Sequence, residues 1–321
     1  MTAPQHRIAA PDAPVPAGET ASDLPAWDLT DLYPGRDSPE IAADLDRAEA
    51  EAKAFAQRYR GRLAALSGSE LAAAIAAFER IEEILGRVMS YAQLVFAEDA
   101  TDPAIGKFYQ GCNERVTAIS THLIFFSLEL NRIEDEALEA KMAGTALEEW
   151  RPWLRDLRVF RPHQLSDELE KLLHEKEVTG RAAWNRLFDE TLADLRIPVD
   201  GEALTLSAAL NRLSDPDRTR REAAAHAIGE SLGRNVRLFA LITNTLAKDK
   251  EIIDTWRRYP KPESYRNRAN MVEDEVVEAL VTAVTAAFPR LSHRYYALKA
   301  RWLGLDRLEY WDRNAPLPED D

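Results

Sequence analysis

The sequence is poor in the features that announce chemistry. It has a single cysteine, Cys112, so an internal disulfide is impossible and a reducing compartment is the expected setting. It has no long apolar run. The longest, around Leu123 to Leu130, includes Ser127 and Glu129 and is too short to span a bilayer. The first residues lack the basic start and apolar stretch of a secretory signal, which makes the cytoplasm the expected address. Positive charge is in deficit, with 41 Lys and Arg against 55 Asp and Glu and a net charge of −14. Phosphate backbones and anionic lipid repel such a chain, so neither nucleic acid nor membrane is an expected partner.

Catalytic signatures are missing as well. No glycine-rich phosphate loop, dinucleotide fingerprint or Gly-x-Ser-x-Gly elbow occurs. A helical zinc hydrolase needs two imidazoles at i and i+4 with a glutamate between them. The nearest approach is His174-Glu175-Lys176-Glu177-Val178, in which Val178 stands where the second imidazole belongs. One histidine cannot build that site, so His174 reads as part of a solvated helix face. His226, among alanines, reads as packed or partly exposed. His293, before Arg294-Tyr295-Tyr296, reads as helix packing, with a wall of a peptide channel as the lesser alternative. Cys112 reads as a small buried hydrophobe. Arg218, Arg220 and Arg221 read as a solvated face at a helix start. The acidic pairs Glu82-Glu83 and Glu148-Glu149 carry no specific signal. No catalytic, cofactor-binding or metal-ligating residue is therefore assigned.

What the sequence does have is the composition of a folded globular protein, 45% hydrophobic and 30% charged. Its length suits one large or two ordinary domains. The pattern is helical almost throughout. Ile75, Phe78, Glu82, Leu85, Met89, Ala92 and Phe96 recur at three- and four-residue steps, a largely apolar stripe with Glu82 at its edge. Gly61 and Ser67-Gly68-Ser69 punctuate the first helical region, and Ser69 is the expected N-cap of the helix that follows. After the turn Asp99 to Pro103, one long helix is expected to about Leu130, then a shorter one from Asp135 to Met142. Ser166-Asp167 caps a helix through Leu169, Leu172, Leu173 and Val178.

One strand signal stands out. Ile197 to Leu206 holds Asp200-Gly201 between two short apolar runs, the mark of a hairpin, and Pro198 confines its strand to an edge. Asp215-Pro216 is expected to open a helix running through Phe239, Ile242, Leu246, Ile253 and Trp256. Further helices are expected over Glu273 to Phe288 and Pro289 to Leu303, with Gly304 just past the end. The fold class is all-α with one short hairpin near 197–206. Residues 1–23, with four of the seventeen prolines, read as a disordered tail. Residues 24–195 read as one helical domain and 196–321 as the beginning of a second. Trp27-Asp28-Leu29-Thr30-Asp31-Leu32-Tyr33-Pro34 is the expected start of order, pinned by its large apolar side chains.

Four stretches, in order and spacing, carry a resemblance. They are Trp27 to Tyr33; His174 to Asn185 with Thr179-Gly180-Arg181-Ala182-Ala183-Trp184; Asp215 to Ala225; and His293 to Lys299 continuing through Leu303-Gly304-Leu305-Asp306 to Pro316-Leu317. From Trp27 onward the chain resembles oligoendopeptidase F, of the thimet-oligopeptidase-type zinc metallopeptidases. The resemblance implies a mostly helical intracellular endopeptidase of short peptides with a deep channel between two lobes. It also implies one zinc, held by a His-Glu-x-x-His helix and a downstream glutamate. This sequence reaches Asp321 before any such motif, so the expectation is a non-catalytic front part, truncated before the zinc motif and binding no zinc itself. A C-terminal catalytic segment becomes the expected partner. A non-enzymatic helical scaffold and one half of a split peptidase stay open as alternatives.

Overall fold

The structure, a computed structural model, describes residues 27–318. The proline-rich stretch 1–23 lies outside the described residues.

The first helices obey their local chemistry. Helix α1, Pro39–Tyr59, opens with proline in its first turn, where the missing N–H costs nothing. Helix α2, Gly68–Glu98, is capped by Ser67 and not by Ser69. The Ser67 hydroxyl accepts from the Glu70 N–H at 3.3 Å, and the Glu70 carboxylate accepts from the Ser67 N–H at 2.8 Å. This reciprocal box satisfies two orphan donors, which Ser69, already inside the first turn, cannot do.

The long helix expected from Pro103 breaks into α3, Pro103–Ser120, and α4, Ile124–Arg132. The Ser120 and Thr121 hydroxyls donate to the carbonyls of Val116 and Thr117, at 2.9 and 2.8 Å, and compete with the backbone ladder. The break turns Phe125 and Phe126 into the core. Phe126 meets Phe55 at 5.0 Å and Phe78 at 4.9 Å between ring centroids. Around this aromatic knot, α1, α2, α3, α4 and α5 (Asp135–Met142) close one apolar cluster that runs from Tyr33 to Leu154. The last of these, Leu154, lies on α6, Arg151–Arg158. Tyr33, Leu29 and Leu32 pin the start of the chain, whereas Trp27 is 86% exposed and pins nothing.

Helices α7, Asp167–Glu177, and α8, Arg181–Asp194, contain no fully buried residue. The N-cap position of α7 is Ser166, although its hydroxyl makes no cap hydrogen bond. Gly180 separates α7 from α8, and a Cβ there would stand 2.9 Å from the Lys176 carbonyl oxygen.

The hairpin forms as expected. Strand β1, Ile197–Val199, pairs antiparallel with β2, Glu202–Leu204, with Pro198 opposite Ala203. Asp200 and Gly201 both take positive φ, 52° and 85°, as a type I′ turn demands. Ile197 and Val199 join Ala209 of α9 (Leu206–Asn211) and Ala224 and Ile228 of α10 (Arg218–Arg234) in a second, smaller apolar cluster.

The expected helix from Pro216 starts later and is interrupted. Its N-cap is Asp217, whose carboxylate accepts from the Thr219 N–H at 2.8 Å, while Asp215 accepts from the Asp217 N–H. It ends at Asn235, whose side-chain amide donates to the Ser231 carbonyl, and α11, Val236–Arg257, follows. Beyond it come α12, Ser264–Ala269; α13, Asp274–Ala287; and α14, Ser292–Trp302. Gly304, at φ 67°, closes α14 with two backbone bonds of the Schellman type, Gly304 N to Arg301 O and Leu305 N to Ala300 O. Among the described residues the fold is all-α with one small ribbon.

Candidate functional site

The residues singled out for chemistry are not brought together. Among the described residues, no three His, Cys, Asp or Glu side chains gather as a cation would require. His174 is not on a solvated face. It is half-buried, with Nε2 2.7 Å from Ser120 Oγ, so it ties α7 to α3. With that nitrogen engaged and Val178 one turn on, the residues present do not fit a zinc ion. His226 is exposed and lies against the Trp311 ring, 5.4 Å between centroids. His293, on α14, is exposed, with its ring 6.3 Å from that of Phe288 at the end of α13. Burial pushes the Cys112 thiol up, partly opposed by Arg115, which disfavours the reactive thiolate.

Two polar clusters that the sequence did not announce hold the second half of the chain. The first joins α7 to the end of α11. Arg257 forks onto the Glu170 carboxylate at 2.7 and 2.8 Å and also donates to the His163 carbonyl at 3.2 Å. His163 is buried. Its Nδ1 lies 2.7 Å from the Arg257 carbonyl, and its ring stacks on Tyr259 at 4.0 Å. Burial acts to raise the Glu170 carboxyl, but the Arg257 bonds and the Leu165 N–H outweigh it and hold it below the usual range.

The second cluster overturns the reading of Arg218 to Arg221 as a solvated face. Arg221 is 2% exposed, and its Nη2 lies 3.0 Å from Oδ1 of Asp312, which is 0% exposed. Arg218 adds contacts to the same carboxylate at 3.1 Å, and Asp312 also accepts from the Glu309 N–H. Arg221 donates further to the carbonyls of Asp215, Pro216 and Trp311. Buried Lys299 donates to the Arg313 carbonyl at 2.8 Å. A buried charge pair persists only when its remaining donors and acceptors are met in this way. Arg220 remains solvated, and Arg218 keeps about two fifths of its side chain in solvent. The signal was thin: Asp312 is one acid in a mixed stretch, 91 residues from its partner.

Two cavities open to solvent lie on the described surface. One of about 460 Å³ lies between the start of α3 and the end of α8, lined among others by Lys107, Gln110, Arg186, Glu190 and Asp194. A smaller one of about 330 Å³ is lined by Asn131, Arg132, Glu134, Arg161, Gln164 and Leu165. Neither presents a nucleophile beside a base. No helix among the described residues is long and apolar enough to cross a membrane.

Architecture and site together define a multi-helical chain whose parts are held by buried polar clasps. The structure matches that of oligoendopeptidase-F from Enterococcus faecium with a TM-score of 0.75 at 23% identity, over 87% of this chain and 56% of that one. The sequence profile described as Oligopeptidase F matches residues 129–197. Oligopeptidase PepF of Bacillus subtilis is 29% identical over 317 residues, 92% of this chain and 44% of that protein. Group B oligopeptidase PepB of Streptococcus agalactiae is 26% identical over 306 residues, 92% of this chain and 49% of that protein. The chain is thus similar to oligopeptidase F proteins over most of its length, and it spans about half the length of the curated relatives it matches.

Proposed function

We propose that this chain is the front part of a zinc-dependent endopeptidase of short cytoplasmic peptides, and that it contributes scaffold and not reacting groups. The observation that carries the reading is a pair of proportions. Similarity runs over 92% of this chain but reaches only 44% of the Bacillus subtilis oligopeptidase. On this reading, zinc and the groups that work with it belong to the length of the relatives that the match does not reach. On this reading, residues 24–195 are an N-terminal helical domain and 196–321 the beginning of the peptidase domain. The two separate apolar clusters, Tyr33 to Leu154 and Ile197 to Ile228, support that division.

The test is direct. The purified 321-residue chain is incubated with zinc and an internally quenched peptide. The expected result is no cleavage above the blank. Cleavage that a chelator abolishes would assign the reacting groups to this chain and overturn the scaffold reading.

A further inference from the structure

Buried polar atoms nearly always find a partner, so the few that do not point to something. Among the described residues four side-chain atoms are buried and unpartnered. Two of them, Asn131 Oδ1 and Gln164 Oε1, belong to residues that line one cavity, the one of about 330 Å³. Both are carbonyl oxygens and need donors. Asn131 is 5% exposed. The Gln164 amide is oriented by its other end, because Nε2 donates to the Leu128 carbonyl at 3.2 Å. The last torsion of an amide side chain is soft, so either oxygen can turn to meet a group in the cavity without moving the backbone.

Strong donors line the same space. Arg132 and Arg161 are both in its wall. A guanidinium carries five donors, and Arg132 gives two to Asp167 while Arg161 gives one to Glu134, so most of both groups is left for an anion. The walls are held still. Arg158 donates to the carbonyls of Leu130 and Ile133, at 3.0 and 2.7 Å, on either side of Asn131 and Arg132. The Leu165 N–H donates at 2.9 Å to Glu170, the carboxylate of the Arg257 fork. Leu165 is the one apolar side chain in the lining.

A bare cation would satisfy the two oxygens but would face two arginines against the single carboxylate of Glu134. A bare anion would satisfy the arginines and leave both oxygens unmet. A small zwitterion answers both needs. Its carboxylate takes guanidinium donors, and its ammonium, with three hydrogens, serves both oxygens. A cavity at the small end of the range for ligands, with a mostly polar lining, suits a short side chain. We infer that this cavity is a binding site for a free α-amino acid with a small or polar side chain. The site is one of binding and not of cleavage, and it stands whether or not the peptidase reading does.

Isothermal titration of the full 321-residue chain with L-serine is the test. It is run against the two halves of that molecule: 3-hydroxypropanoate, which lacks the ammonium, and ethanolamine, which lacks the carboxylate. The expected result is one L-serine per chain, with each half bound at least about tenfold more weakly, the worth of one charge-assisted hydrogen bond. Asn131→Leu and Gln164→Leu should each weaken L-serine by about the same factor, while Gln110→Leu, in the other cavity, leaves it unchanged. The comparison of the three ligands is made on the parent, so it decides even where a variant fails to fold. Either half binding as tightly as L-serine overturns the inference, because the site then takes a plain cation or a plain anion. Undiminished binding by a folded Asn131→Leu overturns it by placing the ligand elsewhere. No binding of L-serine at millimolar concentration overturns it as well, and leaves the two oxygens to water.

Discussion

Asp312 Oδ1 and Arg221 Nη2 lie 3.0 Å apart with both side chains withdrawn from solvent, closing a contact between residues 91 positions apart. The pair joins the N-terminal part of α10 to the segment after α14. Breaking one side of a buried pair strands the other charge, whereas replacing both sides with apolar groups of similar volume can be neutral. Asp312→Ala should therefore destabilise the protein by about 4 kcal/mol. The double replacement Arg221→Met with Asp312→Leu should recover much of that loss. Urea unfolding of the three proteins checks it, and a double variant no better than the single one would show that the pair matters chiefly through packing.

The same carboxylate predicts a pH dependence. Burial acts to raise its pKa, but the bonds from Arg218, the Glu309 N–H and Arg221 prevail, so the Asp312 carboxyl sits below the usual range of about 3.9. A depressed pKa contributes stability that is present above the unfolded value and lost as pH falls through the folded one. Stability should drop below about pH 4, and the drop should be shallower in Asp312→Asn. The urea midpoint measured from pH 6 down to pH 2.5 decides this, because a parent and variant with parallel acid limbs would contradict it.

Much of the fold was legible because it is written locally. The hairpin followed from Asp200-Gly201 and the close of α14 from Gly304, and the short helix at Asp135 to Met142 was expected where α5 forms. The misplaced features were those in which two local signals compete. Ser67 and Ser69 both suit a cap, and only the position of Glu70 decides between them. The break after Ser120 depends on hydroxyls bonding back to their own helix, which apolar periodicity does not register. The clasps were illegible for another reason. Arg221 and Glu170 look like any surface charge until the fold brings Asp312 and Arg257 to them.

At the alkaline end the relevant group is Tyr33. Its hydroxyl donates to Asp44 Oδ2 at 2.8 Å, and Asp44 is also paired with Arg47 and Arg87. Burial, and then the Asp44 carboxylate, push the phenol from its ordinary 10.0 up to about 12. The folded state favours the protonated phenol, so this contribution is complete below the unfolded pKa and is lost as pH rises through the folded one. The parent should lose stability between pH 10 and 12 that Tyr33→Phe does not lose. At neutral pH the variant should cost about 1 kcal/mol, one buried hydrogen bond. The difference between the two alkaline limbs is the measurement, since the other tyrosines and the lysines titrate alike in both proteins.

The start of α2 gives a prediction that rests on space. A Cβ built on Gly68 would stand 1.9 Å from the Lys141 carbonyl oxygen and 2.6 Å from Thr145 Oγ1, so α2 and the end of α5 meet where only glycine fits. The main-chain oxygen cannot swing aside as a flexible side chain would. Gly68→Ala should cost about 3 kcal/mol, the upper part of the usual range for overpacking. The neighbouring Ser67→Ala removes only a cap and should cost about 1 kcal/mol. If steric contact is the cause, the larger loss belongs to the smaller change in chemistry. Thermal and urea unfolding of both variants would refute this if Ser67→Ala proved the more damaging.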